Sequence, residues 1–268
     1  MIKKKVLCSS IVLSVMLLSK LYTSANSSSK KDPIRKALLE QVEKKKKAAA
    51  MTPEKQKKAY YNSIRFANKQ LPLHKHTVET KFERYLATFS YRKQQSYEMH
   101  AKAAKHLPKI ASILKSYGIP EDFKYVPLIE SDMNPQITSH RGAGGYWQFM
   151  PATARLYGLK VGGKYDERKD LIKSTHAAAK YLKSLYKEFE DWTLVAAAYN
   201  VGGGSLKAAI RRQGTTDYYK LRLNQETGSY IYKLASVKQV IENPNKHGYK
   251  RYAKLDDKYQ SVNEQNLL

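Results

Sequence analysis

The 268-residue chain carries 49 Lys and Arg against 23 Asp and Glu, a formal charge of +26, with 42% hydrophobic and 11% aromatic residues. That apolar content supports one substantial core in one or two domains and excludes a disordered or fibrous chain. The charge calls for an anionic neighbourhood such as nucleic acid, anionic lipid or cell-wall polymer, and it bears on solubility and partners rather than on fold.

The first segment differs in kind from the rest. Lys3, Lys4 and Lys5 precede an apolar run from Val6 to Leu18, and Thr23, Ser24 and Ala25 follow. That order predicts a secretory signal peptide over 1–25. The run falls short of the roughly 18 to 20 residues a membrane span needs. Export, to the periplasm or cell envelope or as a secreted protein, argues against a nucleic-acid partner and leaves anionic envelope polymers as candidates. Cys8 is the single cysteine and lies within the run, so lipidation is not expected. Its removal with the signal leaves no disulfide or thiolate metal site. His74 and His76 are the closely spaced histidine pair, and no HExxH pattern occurs. No metal or cofactor is expected.

Residues 26–76 read as a Lys-rich helical segment. Lys30 to Ala50 shows only a weak apolar stripe at Ile34, Leu38, Leu39 and Val42, which predicts a marginal, solvated helix. Thr52, Pro53 and Glu54 are a helix start, and a second basic helix is predicted from there to about Gln70, before Leu71-Pro72-Leu73 breaks it. From Val78 the spacing of Phe82, Tyr85, Leu86 and Phe89 opens the main domain, 77–250, with 251–268 as a tail.

Ala101, Ala104, Leu107, Ile110, Leu114 and Tyr117 predict a helix over 97–117, ended by Gly118 and Pro120. Further helices are predicted over 123–131, 150–157, 174–189, 192–199 and 229–241. No segment shows sustained strand alternation, so the fold class is mostly α.

Glu130 follows four apolar residues, Val126 to Ile129. Poor solvation raises a carboxyl pKa and keeps a proton available near neutral pH, as a general acid requires. The same pattern also fits a helix-end carboxylate that merely turns to solvent. Ordinary glycosidases need two carboxylates facing one bond. Asp132 cannot be the second, because residues two apart on a helix point roughly 200° apart. Asp166, Glu167, Asp170, Asp191 and Glu226 could approach only through folding. A single carboxylate suffices if the substrate supplies its own nucleophile.

The segment from Ser139 to Pro151 combines Gly142, Gly144 and Gly145 with Tyr146, Trp147, Gln148 and Phe149. Aromatic faces pack on sugar rings, amides bond hydroxyl and N-acetyl groups, and glycines allow close backbone approach. A Trp147–Phe149 pair equally suits a plain core. Gly202 to Gly204 lacks the Gly-Lys-Ser/Thr ending of a phosphate loop, and a helix C-cap at Gly202 with a new N-cap at Ser205 explains it better.

Three motifs in register, Glu130-Ser131, then Gly142-Ala143-x-Gly145-x-Trp147-Gln148-Phe149-Met150-Pro151-x-Thr153-Ala154, then Ala197-Ala198-Tyr199-Asn200-x-Gly202, resemble the soluble lytic transglycosylase domain of glycoside hydrolase family 23. Glu226-Thr227-x-x-Tyr230-x-x-Lys233-Leu234 and Asn243-Pro244 further resemble its membrane-bound D subgroup. The similarity runs from about Val78 to Tyr249. D-type relatives usually carry C-terminal LysM repeats, a module this sequence does not show; the basic N-terminal helices are the candidate substitute for wall affinity.

The resemblance implies a goose-type, lysozyme-like α domain that acts as a monomer on peptidoglycan glycan strands. It implies that Glu130 is the catalytic acid and base, and that the C6 hydroxyl of N-acetylmuramic acid attacks C1 to leave a 1,6-anhydro end. It further implies that Ser139, Gln148, Met150, Ala198, Tyr199 and Glu226 contact the glycan, while Ser131, Asn200 and Tyr230 support the site. The rival expectations are a hydrolytic muramidase on the same fold and a non-catalytic, basic wall-binding protein.

Overall fold

The computed structural model describes residues 39–41, 43 and 51–250. The expected signal peptide, most of the expected helix over 30–50 and the tail 251–268 lie outside the described residues. Residues 39–41 and 43 are helical, and Leu39 is exposed. The chain divides into two compact units, 1–58 and 59–268, so the boundary expected at residue 77 falls inside the second unit.

Helix α1, Pro53–Ser63, spans that division. It begins where the sequence predicts, with Lys55 N donating to Thr52 Oγ1 at 3.4 Å. It stops at Ser63 rather than continuing to Gln70. The reason is a tight reversal: Ala67 and Asn68 both take positive φ, 47° and 68°, which closes a two-residue turn between β1 (Arg65–Phe66) and β2 (Lys69–Gln70). Ile64, Phe66, Leu71 and Leu73 are buried in the same core as the main domain, and that burial outweighs the helical preference of the lysine-rich residues around them.

The core is helical. In chain order come α2 (His76–Phe89), a short α3 (Tyr91–Gln94), α4 (Glu98–Ser116), a 3₁₀ turn (Glu121–Tyr125) and α5 (Val126–Ser131). After a glycine-rich loop follow α6 (Pro151–Leu156), a small ribbon of β3 (Val161–Gly162) and β4 (Tyr165–Asp166), and α7 (Leu171–Phe189). The last helices are α8 (Trp192–Val201), α9 (Gly203–Gln213) and α10 (Thr227–Glu242). The mostly α expectation holds.

α10 is buried on nearly every side, with Tyr230, Ile231, Tyr232, Leu234, Ala235, Val237 and Val240 all under 4% exposed. A helix apolar around its circumference belongs in the middle of a domain. It packs on α2, α5 and α8, the last two being the helices that carry Glu130 and Tyr199.

The predicted end of α4 appears in full. Gly118 takes φ 71°, Gly118 N donates to Lys115 O at 3.0 Å, and Ile119 N donates to Leu114 O at 3.1 Å. This is the paired closure of a helix by a left-handed glycine, with Ile119 and Leu114 both buried beside it. Gly202 caps α8 as expected. The new N-cap is not Ser205, however: α9 already begins at Gly203, with Gly202 at φ 89° serving both helices. Glycine alone turns the chain so sharply there, which leaves no linker for a side-chain cap.

Candidate active site

Glu130 lies in the last turn of α5. Pro127 opens that helix, and Asp132 and Met133, at φ 50° and 57°, reverse the chain after it. Ser131 is buried, and its Oγ reaches Pro127 O at 3.1 Å and Tyr146 O at 2.9 Å. One hydroxyl thus ties the end of α5 to the glycine-rich loop. Asp132 points elsewhere, to Lys102 Nζ on α4 at 2.6 Å, from the left-handed position where the chain leaves the helix.

The loop from Thr138 to Phe149 is held as a folded ribbon by bridges from Gly144 to Thr138 and to Phe149. Its anchor is Arg168, which the sequence reading did not single out. The buried guanidinium pairs with both oxygens of Asp166, at 2.8 and 2.9 Å, and donates to Gly142 O at 2.7 Å and Phe149 O at 2.9 Å. Gly144 and Gly145 are glycines because of it. A Cβ on Gly144 would meet the guanidinium carbon at 2.9 Å, and one on Gly145, whose φ is 74°, would meet Arg168 O at 2.0 Å. The signal was a charged pair two residues apart, Asp166 and Arg168, in an otherwise lysine-dominated chain.

These elements enclose an open cleft of about 970 Å³. Glu130, Ser139, Gln148, Met150, Tyr199, Asn200 and Glu226 line it together. Gln148 Nε2 is spent on Ile137 O at 3.0 Å and Gly145 O at 2.9 Å. Both partners are acceptors, so the amide orientation is fixed and Oε1 remains to accept a bond from a ligand. Ser139 Oγ accepts from Ala143 N at 3.0 Å, and Met150 is 43% exposed. Tyr199 donates to Trp147 O at 2.7 Å, while Trp147 itself is fully buried and donates to Thr175 Oγ1. Trp147 is therefore core, as the plainer reading had it.

Ala198 does not join the group. It is fully buried inside α8, and its carbonyl accepts from Gly202 N at 2.8 Å. The buried stretch 193–198 that makes α8 a core helix includes this methyl.

Tyr230 on α10 donates its hydroxyl to Glu130 Oε1 at 2.5 Å. Burial is the chief influence on Glu130 and raises its pKa from 4.5 to about 7. Tyr230 lowers it, the charge of Glu226 raises it, and Lys233 lowers it. Glu226, Tyr230 and Lys233 follow at i, i+4 and i+7, one face of α10 and its cap. Lys233 was missed as an influence on the acid, and that spacing was its signal.

Among the described residues, Glu226 is the other carboxylate lining the cleft. Asn200 Nδ2 donates to it at 3.1 Å, and Asn200 Oδ1 accepts from Thr227 Oγ1 at 2.7 Å. The remaining sequence candidates are committed elsewhere. Asp166 holds Arg168, Glu167 pairs with Lys173 at 2.7 Å, and Asp170 and Asp191 cap α7 and α8. No cluster of His, Cys, Asp and Glu among the described residues could hold a metal ion. No described helix is long and apolar enough to cross a membrane.

The family model described as the transglycosylase SLT domain matches residues 109–222, a span that holds Glu130, Gln148 and Tyr199 and stops short of Glu226 and Tyr230. Membrane-bound lytic murein transglycosylase D of Escherichia coli K12 is 35% identical over 171 residues, 62% of this chain and 37% of that protein. The chain thus spans little over a third of that relative's length. A protein named for tributyltin chloride resistance, from Alteromonas sp. strain M-1, is 32% identical over 158 residues, 58% of this chain and 76% of that one. The 70 kDa soluble lytic transglycosylase of Escherichia coli superposes with a TM-score of 0.42 at 19% identity, over 62% of this chain and 30% of that one.

Proposed function

Because the chain belongs to the transglycosylase SLT domain family, we propose that it is a peptidoglycan lytic transglycosylase acting in the cell envelope. The observation that carries this reading is Glu130. Its carboxyl is held protonated to about pH 7 at the wall of an open cleft, and the other carboxylate there is occupied by Asn200.

In the first half of the reaction Glu130 gives its proton to the oxygen between N-acetylmuramic acid and N-acetylglucosamine, and the bond from C1 to that oxygen breaks. The substrate's own N-acetyl oxygen supports the cationic C1. In the second half the Glu130 carboxylate, steadied by the Tyr230 hydroxyl, removes the proton of the C6 hydroxyl as that oxygen bonds to C1. A 1,6-anhydro end forms, Glu130 is protonated again, and no water is consumed. One group with a pKa near the working pH serves both halves. Gln148 Oε1, Met150 and Tyr199 hold the sugar, and Asn200 orients Glu226 toward it. The Ser131 hydroxyl keeps Glu130 and the glycine-rich loop in register.

Mass analysis of the products from purified peptidoglycan tests this directly. Anhydro-muropeptides are expected. Reducing muropeptides alone would assign a hydrolase to the same site, and intact strands would leave only a binding protein.

A further inference from the structure

The chain between Ser139 and Ala143 is a turn braced from four sides. Ser139 N donates to Ala143 O at 2.8 Å, Gly142 N to Ser139 O at 2.9 Å, and Ala143 N to Ser139 Oγ at 3.0 Å. The fourth brace is the Arg168 guanidinium, 2.7 Å from Gly142 O. Gly142 closes the turn at φ 84°. His140 and Arg141 are left at its two central positions, both exposed and both lining the cleft.

Arg141 is the one permanent cation among the residues lining this cleft, whose charged groups are otherwise Glu130 and Glu226. Neither an ion pair nor a hydrogen bond engages its side chain among the described residues, although the described surface holds many such pairs. The backbone beneath it is firmly held, and the planar, five-donor guanidinium at its end matches a carboxylate in bidentate fashion.

Resting on the proposed action on peptidoglycan, we propose that Arg141 is a specificity-determining residue. It binds the carboxylate carried by the C3 substituent of muramic acid, whether on the lactyl group or on the peptide stem attached to it. The diffuse charge of +26 attracts any polyanion. A single guanidinium in the cleft that holds the acid instead distinguishes a muramic-acid glycan from a neutral polymer with the same N-acetylated backbone.

The test uses the full chain carrying Glu130→Gln, so that ligands survive, and compares its affinities with and without Arg141→Gln. The ligands are glycan strands bearing stems, strands stripped of stems by an amidase so that the lactyl carboxylate is free, and chitin oligomers of equal length. Arg141→Gln is expected to weaken binding of an anionic strand about fivefold to tenfold at low salt, and of the chitin oligomer less than twofold. Arg141→Lys should recover part of the loss, and about 1 M salt should shrink the difference. A loss confined to stem-bearing strands assigns the contact to the stem, and a loss on stripped strands assigns it to the lactyl group. Equal losses on all three ligands, or none on either anionic strand, would overturn the inference. If the unaltered chain cleaves no glycan, the proposed function falls, yet this comparison of affinities still decides the role of Arg141.

Discussion

Tyr230 and Glu130, 100 residues apart in the chain, share a hydrogen bond in which the phenol donates to Oε1. The donation favours the carboxylate, while burial and the charge of Glu226 favour the acid. Burial wins, and the group titrates near pH 7 rather than 4.5. Activity should therefore fall on the alkaline side of about pH 7, as the acid form is lost. Stability follows the same titration. Between about 4.5 and 7 the folded state binds the proton that the unfolded state has released, so this carboxyl makes the protein less stable as pH rises through that window. Glu130→Gln should raise the melting temperature at pH 8 and leave it nearly unchanged at pH 4, with a gain of about 1 to 3 kcal/mol at the higher pH. Equal stability of both forms at pH 8 would show that the carboxylate is not penalised.

Tyr230→Phe and Glu226→Gln should move the alkaline limb in opposite directions. Removing the phenol takes away the donor that stabilises the Glu130 anion, so its pKa rises and the limb shifts to higher pH. The turnover number should also drop by about tenfold or more, because the base form is less well oriented. Glu226→Gln removes a like charge, so the Glu130 pKa falls and the limb shifts to lower pH. Profiles of kcat/KM against pH for the two variants decide the matter, and shifts of the same sign would refute the arrangement.

Gln148→Leu separates binding from chemistry. The leucine loses the bonds to Ile137 O and Gly145 O and the free Oε1 that faces the cleft. KM should rise about tenfold or more, as expected where one substrate hydrogen bond and its supports are lost, while the alkaline limb set by Glu130 stays in place. A shifted limb with unchanged KM would assign Gln148 to the acid rather than to the sugar.

What could be read ahead of the structure was local. The end of α4 at Gly118 and the cap of α8 at Gly202 each follow from a few neighbouring residues. The apolar run before Glu130 foretold its raised pKa. What escaped was set by contacts between distant segments. The helix predicted to Gln70 gives way to a turn at Ala67 and Asn68, because Ile64, Phe66 and Leu71 are needed by a core shared with α4, α7, α8 and α10. Ala198 matches a motif yet is fully buried, the last of the buried run 193–198 of α8, while Tyr199 and Asn200 after it line the cleft. Arg168 looked like one more cation in a basic chain until its partners at Asp166, Gly142 and Phe149 came together.

Arg168 accordingly gives the sharpest structural prediction. Arg168→Met leaves Asp166 and two carbonyls without their donor, a loss of about 3 to 5 kcal/mol where such a charge is buried. For a domain of this size that lowers the melting temperature by about 10 °C. Gly145→Ala should cost a comparable amount, because its Cβ would sit 2.0 Å from Arg168 O at a φ that disfavours any side chain. Gly142→Ala is the control. Its φ is also positive, at 84°, but no atom lies within 4 Å of the added methyl, so only the conformational penalty of about 1 to 2 kcal/mol remains. Because both changes loosen the same loop where it packs on Arg168, the double variant should lose less than the sum of the two single losses. Thermal melts of the four variants supply the comparison. Full additivity, or Gly142→Ala as damaging as Gly145→Ala, would mean that the loop is not held by Arg168.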